Sequence, residues 1–299
     1  MRKLDSLKRL LYKQIRCPTC LSETRLKYAH SKNIACKKCG VKYRVANGIP
    51  VLLSKESEVK IKKQLHSKFG NKMRVEYKDQ TTFFGAVKKL FRVPDLSYDL
   101  VDRKKLHGIV THDENPKFII LNIGGGPRRE DGNVLNLNIG LFPNVEVVAD
   151  AHNLPFKSNS LDGIMIIAAL EHVESPREVV AEAYRVLKKN GYIYAETPFL
   201  QHFHGYPNHF QNFTLIGHDM LFKKFKKVES GPTTGPFSSV GILILNLFED
   251  LIENKYLRKI TMIFVAGLFY PFKFLDSLTK KNKNIYKLTN GNYYLGQKK

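Results

Sequence analysis

Four cysteines, all before residue 40, stand as two pairs, Cys17-Pro18-Thr19-Cys20 and Cys36-Lys37-Lys38-Cys39, separated by residues 21–35. That spacing is expected of a four-thiolate zinc site, each knuckle turning tightly enough for two sulfurs to reach one ion at about 2.3 Å. Four thiolates leave no open coordination position. The Zn2+ centre predicted on Cys17, Cys20, Cys36 and Cys39 is therefore structural and does no chemistry. Reading the pairs as redox sites would need the strand and helix of a thioredoxin-like unit, which the flanks do not supply. Cysteines confined to one short segment suit a reducing compartment rather than a disulfide scaffold.

A second constellation lies further along. Gly124-Gly125-Gly126-Pro127 follows the apolar run Phe118–Ile123, and glycines there let the backbone approach a ligand closely. Asp150 follows Val145–Ala149, and Leu170-Glu171-His172-Val173 follows Asp162–Ala168. The aromatic stretch 198–210 then carries His202, His204 and His209. These imidazoles are candidate proton acceptors, although loop histidines often serve only as structural hydrogen-bonding groups. His-x-His plus a more distant histidine, with no carboxylate nearby in sequence, is poor ligand spacing, so no metal centre is expected there.

Alternating elements position these groups. Phe118–Ile123, Val134–Ile139, Val145–Ala149, Asp162–Ala168 and Tyr192–Thr197 read as short buried strands. Ser175-Pro176-Arg177-Glu178 reads as a capping box with proline at the first helical position. Val180, Ala183, Tyr184 and Leu187 then extend a helix to about Lys189 before Asn190-Gly191 stops it. This predicts an α/β, doubly wound sheet, whose ligands bind at the carboxyl ends of the strands, here Gly124, Asn138, Asp150, Leu170 and Thr197. The expected organisation is a zinc ribbon (1–53), a basic linker with covering helices around Phe83, Phe84, Val87, Leu90 and Phe91 (54–115), the α/β domain (116–236) and an apolar, basic helical tail (237–299).

The 299 residues, 43% hydrophobic and 25% charged, exclude a disordered or fibrous chain. The net charge of +22 is concentrated in the flanks. Residues 1–80 hold 21 basic and 6 acidic side chains, residues 220–299 hold 14 and 5, and the middle is near neutral with 14 and 16. Residues 1–16 build no apolar signal region, so a cytoplasmic start is expected. The longest apolar uncharged stretch, Ile260–Phe272, falls short of the roughly 20 residues of a spanning helix. Apolar residues flanked by Lys255, Arg258, Lys259 and Lys273 suit a helix lying on an anionic membrane surface at the inner face, or one packed on the domain or on a homodimer partner.

Two resemblances sharpen this reading. The order CPxC, CxxCG, Tyr43 and GIPVLL over residues 14–53 resembles small zinc-ribbon proteins that partner RNA and protein methyltransferases, and the same ribbon fused ahead of some bacterial and archaeal methyltransferases. That resemblance implies a docking or stabilising module; the free-standing ribbons activate a methyltransferase partner without binding the methyl donor. The segments LNIGGGP (121–127), VVADAHNLPF (147–156), SLDGI (160–164), LEHV (170–173) and EAYRVLKKNGYIYAETP (182–198) resemble class I S-adenosylmethionine-dependent methyltransferases, with a Rossmann-like fold. By this resemblance the Gly124, Gly125 and Gly126 turn passes under the methionine part of S-adenosyl-L-methionine. Asp150 bonds the adenine amine with the Ala151 backbone beside it, and the segment around Leu170 borders the methyl group.

The chain departs from that family at three places. Asn122 stands where the family has an acidic residue and Arg128 where it has another glycine. Asn138 takes the place of the acidic ribose acceptor, and an amide oxygen is the weaker acceptor. Only residues 127–133 separate the first two strands, so the first helix is expected to be vestigial.

PF…HGYP followed by FxxFT resembles methyltransferases encoded among polysaccharide and cell-surface glycan genes, which implies a glycan or lipid-linked acceptor. O-methylation then needs alignment and a base, with His204 and His202 the candidates. The basic flanks also admit an RNA methyltransferase, though no nucleic-acid-binding module is recognisable. A third reading is a non-catalytic adaptor that retains the fold.

Overall fold

The computed structural model describes residues 2–23, 27–29, 33–65, 93–111, 117–126, 134–205 and 208–299. The helices expected around Phe83 to Phe91 and the vestigial helix at 127–133 lie outside the described residues.

The strands are β1 (Lys27–Ala29), β2 (Asn33–Ala35), β3 (Lys42–Ala46), β4 (Ile49–Leu52), β5 (Ile120–Ile123), β6 (Val134–Asn138), β7 (Val147–Ala149), β8 (Leu161–Ile167), β9 (Leu187–Pro198), β10 (Lys226–Pro232) and β11 (Gly291–Gln297). They join in the order β1-β2-β3-β4-β7-β6-β5-β8-β9-β11-β10. The middle of this series, β7 to β9, is parallel, as the buried apolar runs require.

The helices are α1 (Arg2–Lys13), α2 (Lys55–Leu65), α3 (Arg103–Thr111), α4 (Pro176–Val186), α5 (Leu215–Leu221), α6 (Pro236–Leu251) and α7 (Lys255–Phe269). Leu7 and Leu11 of α1 share one core with Val179, Val180 and Ala183 of α4 and with Leu121, Ile123 and Leu135 of the sheet. Leu106 and Val110 of α3 pack on Ile120, Met165 and Tyr194 in a second apolar cluster. Helices on both faces give the doubly wound, Rossmann-like α/β arrangement expected from the alternating elements.

Two strand pairings go beyond that expectation. The last strand of the ribbon, β4, runs parallel to β7 with Val51 opposite Val148 and Leu52 opposite Ala149. Ile34, Tyr43 and Leu52 of the ribbon accordingly join the main core. The segment 237–299, expected as a helical tail, begins as one but ends in β11, which inserts antiparallel between β9 and β10. Leu295 and Tyr294 of β11 are buried, so the end of this segment belongs to the central sheet.

Other corrections are local. Helix α4 stops at Val186 because Leu187 already pairs with Leu161 in the sheet. The Ser175 side chain makes no cap bond, leaving the start of α4 to Pro176. In the tail, α7 continues through short turns to a 25-residue helical segment, Lys255–Thr279, that by length and composition is long and apolar enough to cross a membrane, whereas the uncharged stretch Ile260–Phe272 on its own falls short of a span. Ile260, Phe264 and Leu268 form an exposed stripe on α7, and Leu243, Leu247 and Leu251 form one on α6. The buried Asp276 accepts at 2.9 Å from the Phe237 and Ser238 N–H groups, satisfying the first turn of α6.

Candidate functional site

The four cysteines converge as their spacing predicts. Cys17 Sγ lies 3.7 Å from Cys39 Sγ, and Cys20 Sγ lies 3.7 Å from Cys36 Sγ. A tetrahedron with bonds of about 2.3 Å has edges of roughly 3.8 Å, so the set fits Zn2+. Around it, the Tyr43 hydroxyl lies 3.1 Å from Cys17 Sγ and 2.7 Å from Thr19 Oγ1. It thereby ties the metal knuckle to β3.

The strand ends meet in one crevice. Gly124 has a φ of +81°, and a Cβ there would collide with the Ala169 side chain, so only glycine fits. At Gly125 a Cβ would strike the Asn136 side chain, whereas Gly126 faces open space. Asn122 Oδ1, near the end of β5, is buried without a hydrogen-bond partner among the described residues. Asn138 has a use its sequence position does not reveal. Its Nδ2 donates to the Gly124 and Gly125 carbonyls at 3.3 and 3.0 Å, and its Oδ1 accepts from Gly140 N at 2.9 Å.

Asp150 ends β7 and is strongly held. Its Oδ1 accepts from His152 N at 2.9 Å and lies 2.8 Å from His152 Nδ1, while its Oδ2 accepts from Ser57 Oγ at 2.8 Å. Burial alone would push the carboxyl up, but the His152 ring, the His152 N–H and the Ser57 hydroxyl hold it down at about 2. Ala151 opens the short turn that follows. The N-terminal unit grips this turn elsewhere too. Arg16 donates to Asn153 Oδ1, Leu154 O and Glu182, and Asn153 Nδ2 donates to Pro18 O at 2.8 Å. Sequence reading missed Ser57 and Arg16 because no local pattern announces a contact across more than ninety residues.

On the opposite wall the turn Leu170–His172 follows β8. Leu170 itself is fully buried in the core, so its side chain does not border the crevice. Its neighbours do. Glu171 is fully buried with neither carboxylate oxygen hydrogen-bonded, and burial pushes its pKa up to about 7. His172 Nδ1 donates to Asn208 O at 2.7 Å, and burial holds the ring down to about 4. His204 Nδ1 donates to His202 O at 3.0 Å, and burial lowers its pKa as well.

His172 Nε2 and His204 Nε2 stand 3.8 and 4.0 Å from Glu171 Oε1. A carboxylate therefore does lie beside the loop histidines, contrary to the sequence expectation, because β8 delivers it from 33 residues earlier. His209 is taken up structurally, accepting from His204 N at 3.2 Å and lying 2.6 Å from Asn212 Oδ1. A groove of about 340 Å³ runs from His202 and His204 past Gln201 and Asn290 to Ile242, Leu245 and Asn246 of α6.

Residues 132–195 match the family model described as "Methyltransferase domain". The Ubiquinone/menaquinone biosynthesis C-methyltransferase UbiE of Rhizobium meliloti (strain 1021) is 33% identical over 99 residues, 32% of this chain and 34% of that protein. The chain thus spans about a third of the length of that curated relative. Among solved structures, Haemonchus contortus phosphoethanolamine N-methyltransferase 2 in complex with S-adenosyl-L-methionine is 16% identical with a TM-score of 0.39, covering 74% of this chain and 58% of that one. The YcgJ protein from Bacillus subtilis is 14% identical with a TM-score of 0.35, over 61% and 92%. Together with the strand arrangement, the family match makes the central sheet a class I methyltransferase fold.

Proposed function

We propose that the protein is an S-adenosylmethionine-dependent methyltransferase acting on a hydroxyl of a glycan or lipid-linked precursor at the cytoplasmic face of a membrane. The family match over 132–195 and the glycine turn of β5 support the donor. In this reading Asn122 Oδ1, buried and without a hydrogen-bond partner among the described residues, accepts from the donor's ammonium, and Asp150 and the Ala151 backbone meet its adenine.

The observation that carries the acceptor reading is the groove joining His202 and His204 to α6. Helix α6 belongs to a hairpin whose apolar stripes are exposed, so an acceptor anchored in lipid would reach the histidines along that hairpin. In the transfer a C–O bond forms as the sulfonium C–S bond breaks, leaving a neutral thioether. The hydroxyl proton goes to an imidazole of the groove, His202 or His204. Zn2+ on the four cysteines would serve the ribbon alone.

Calorimetry with S-adenosylhomocysteine tests the donor, and binding is expected. Flotation with phosphatidylglycerol vesicles tests the acceptor side. The protein should float at low salt, and the double variant Phe264→Glu, Leu268→Glu should not. Absence of flotation by the unaltered protein, alongside tight RNA binding, would favour an RNA acceptor.

A further inference from the structure

We propose that Glu171, His172 and His204 form a second metal centre, holding a first-row divalent cation at the acceptor wall of the crevice. Their ligand atoms, Glu171 Oε1 and the Nε2 atoms of the two histidines, lie within 4.8 Å of one another. The tautomers are set by the rest of the wall. A carbonyl can only accept, so Asn208 O and His202 O each fix a proton on the Nδ1 they meet. Nε2 of each ring then carries the lone pair, 3.8 and 4.0 Å from Glu171 Oε1, and an N–H directed to a backbone carbonyl is the arrangement that orients metal-ligating imidazoles.

Two imidazole nitrogens and a carboxyl oxygen therefore face one another. Glu171 supplies the most telling part: it is fully buried, and among the described residues neither oxygen has a hydrogen bond and the two imidazoles are the nearby basic groups. Leaving a carboxylate so placed is costly unless something positive completes the set.

Two imidazoles and one carboxylate occupy three positions and leave others open, the donor set of catalytic rather than structural metals. His204 lines the groove, so an ion held there would sit beside the groove proposed for the acceptor. An oxygen ligand bound there, water at rest or the acceptor hydroxyl in use, would lose its proton more readily. That last link rests on the methyl-transfer reading above, whereas the cation site stands on the side-chain geometry. With His204 Nε2 on the cation, His202 is the groove imidazole left to take the proton.

The test uses the full chain with its ribbon zinc in place, titrated with Mn2+ and followed by electron paramagnetic resonance of the free ion. One Mn2+ per chain is expected to bind, with affinity at least tenfold weaker in Glu171→Gln and in His204→Ala. Because His204 sits on a partly exposed loop, the second variant guards against misfolding at the buried glutamate. Circular dichroism and S-adenosylhomocysteine binding, both expected unchanged, report on the fold. No binding of Mn2+, Co2+ or Zn2+ beyond the ribbon's ion overturns the proposal, as does binding that both variants leave intact. Mn2+ binding without S-adenosylhomocysteine binding would leave the metal site standing and count against the methyltransferase reading alone.

Discussion

At one wall of the crevice Asp150 accepts from Ser57, from the His152 N–H and from the His152 ring, whereas at the other Glu171, more deeply buried, accepts no hydrogen bond. Both carboxylates follow a parallel strand of the same sheet. The difference lies in what was brought to meet them. The wall at Asp150 is buttressed by the N-terminal segment, which adds β4 beside β7 and lays Ser57 and Arg16 on the loop after it. Among the described residues the wall at Glu171 is built from its own turn and a loop of histidines. Satisfied polar groups make a rigid surface ready for a ligand, and unsatisfied ones mark where a ligand must complete the structure.

The comparison is easiest to break at the ribbon. Cys36→Ser, or stripping the metal with a strong chelator, should release the loop after β7 as well as the ribbon, so S-adenosylhomocysteine affinity should fall at least about 100-fold, equivalent to about 2.7 kcal/mol. Calorimetry showing unchanged affinity after zinc loss would mean that the wall at Asp150 stands without its buttress. Asp150→Ala should weaken the same ligand by about 1–3 kcal/mol through loss of a buried hydrogen bond.

A third buried group separates hunger for a ligand from mere burial. His218 has two unpartnered nitrogens, but it lies among Phe213, Phe222 and Tyr294, with nothing polar to share an ion. Burial holds its pKa down to about 3, well below the ordinary 6.5. Unfolding lets it take up a proton, so the stability tied to its neutral form is fully present above about pH 6.5 and is lost as pH falls toward 3. At pH 5 the loss should be about 2 kcal/mol, and His218→Phe should remove it in urea titrations run at pH 7 and pH 5. An unchanged pH dependence in that variant would show that the imidazole is not held neutral.

Asn138 gives a finer contrast. As a ribose acceptor it should improve on becoming acidic, but its amide hydrogens hold the Gly124 and Gly125 carbonyls. Asn138→Asp should therefore cost about 1–2 kcal/mol of stability by setting a carboxylate against two carbonyls. Tighter S-adenosylhomocysteine binding at full stability would contradict this. The smallest effect belongs to Glu171→Met in protein that keeps its ribbon zinc and holds no second cation, which should gain about 1 kcal/mol in denaturant unfolding by removing an unsatisfied buried carboxylate.

Much of this was legible in the residues themselves. The cysteine spacing placed the sulfurs, and the runs Phe118–Ile123 and Asp162–Ala168 fall within two residues of the strands Ile120–Ile123 and Leu161–Ile167. The glycine turn was legible because positive φ and close packing leave only glycine. Pairings between distant segments were not. Nothing in IPVL says that β4 will seek β7, and nothing in GNYYLGQ says that β11 will enter the sheet between β9 and β10. Glu171 was hidden in the same way: its LEHV setting shows a buried turn, but its partner His204 comes from the far side of α4 and β9. Register with a remote strand is set by shape and burial, which a local window does not contain.

The position of β11 bears on how the protein is made. Strands β9 and β10 flank it in space, yet residues 233–290 separate β10 from it along the chain. During synthesis β9 therefore waits with one edge bare, a 12-residue template for pairing with another chain. The apolar α6–α7 hairpin emerges within that same interval. Closure by β11 is a contact of long sequence separation, late and slow compared with the helices, and this makes the interval before it the time of greatest exposure to aggregation.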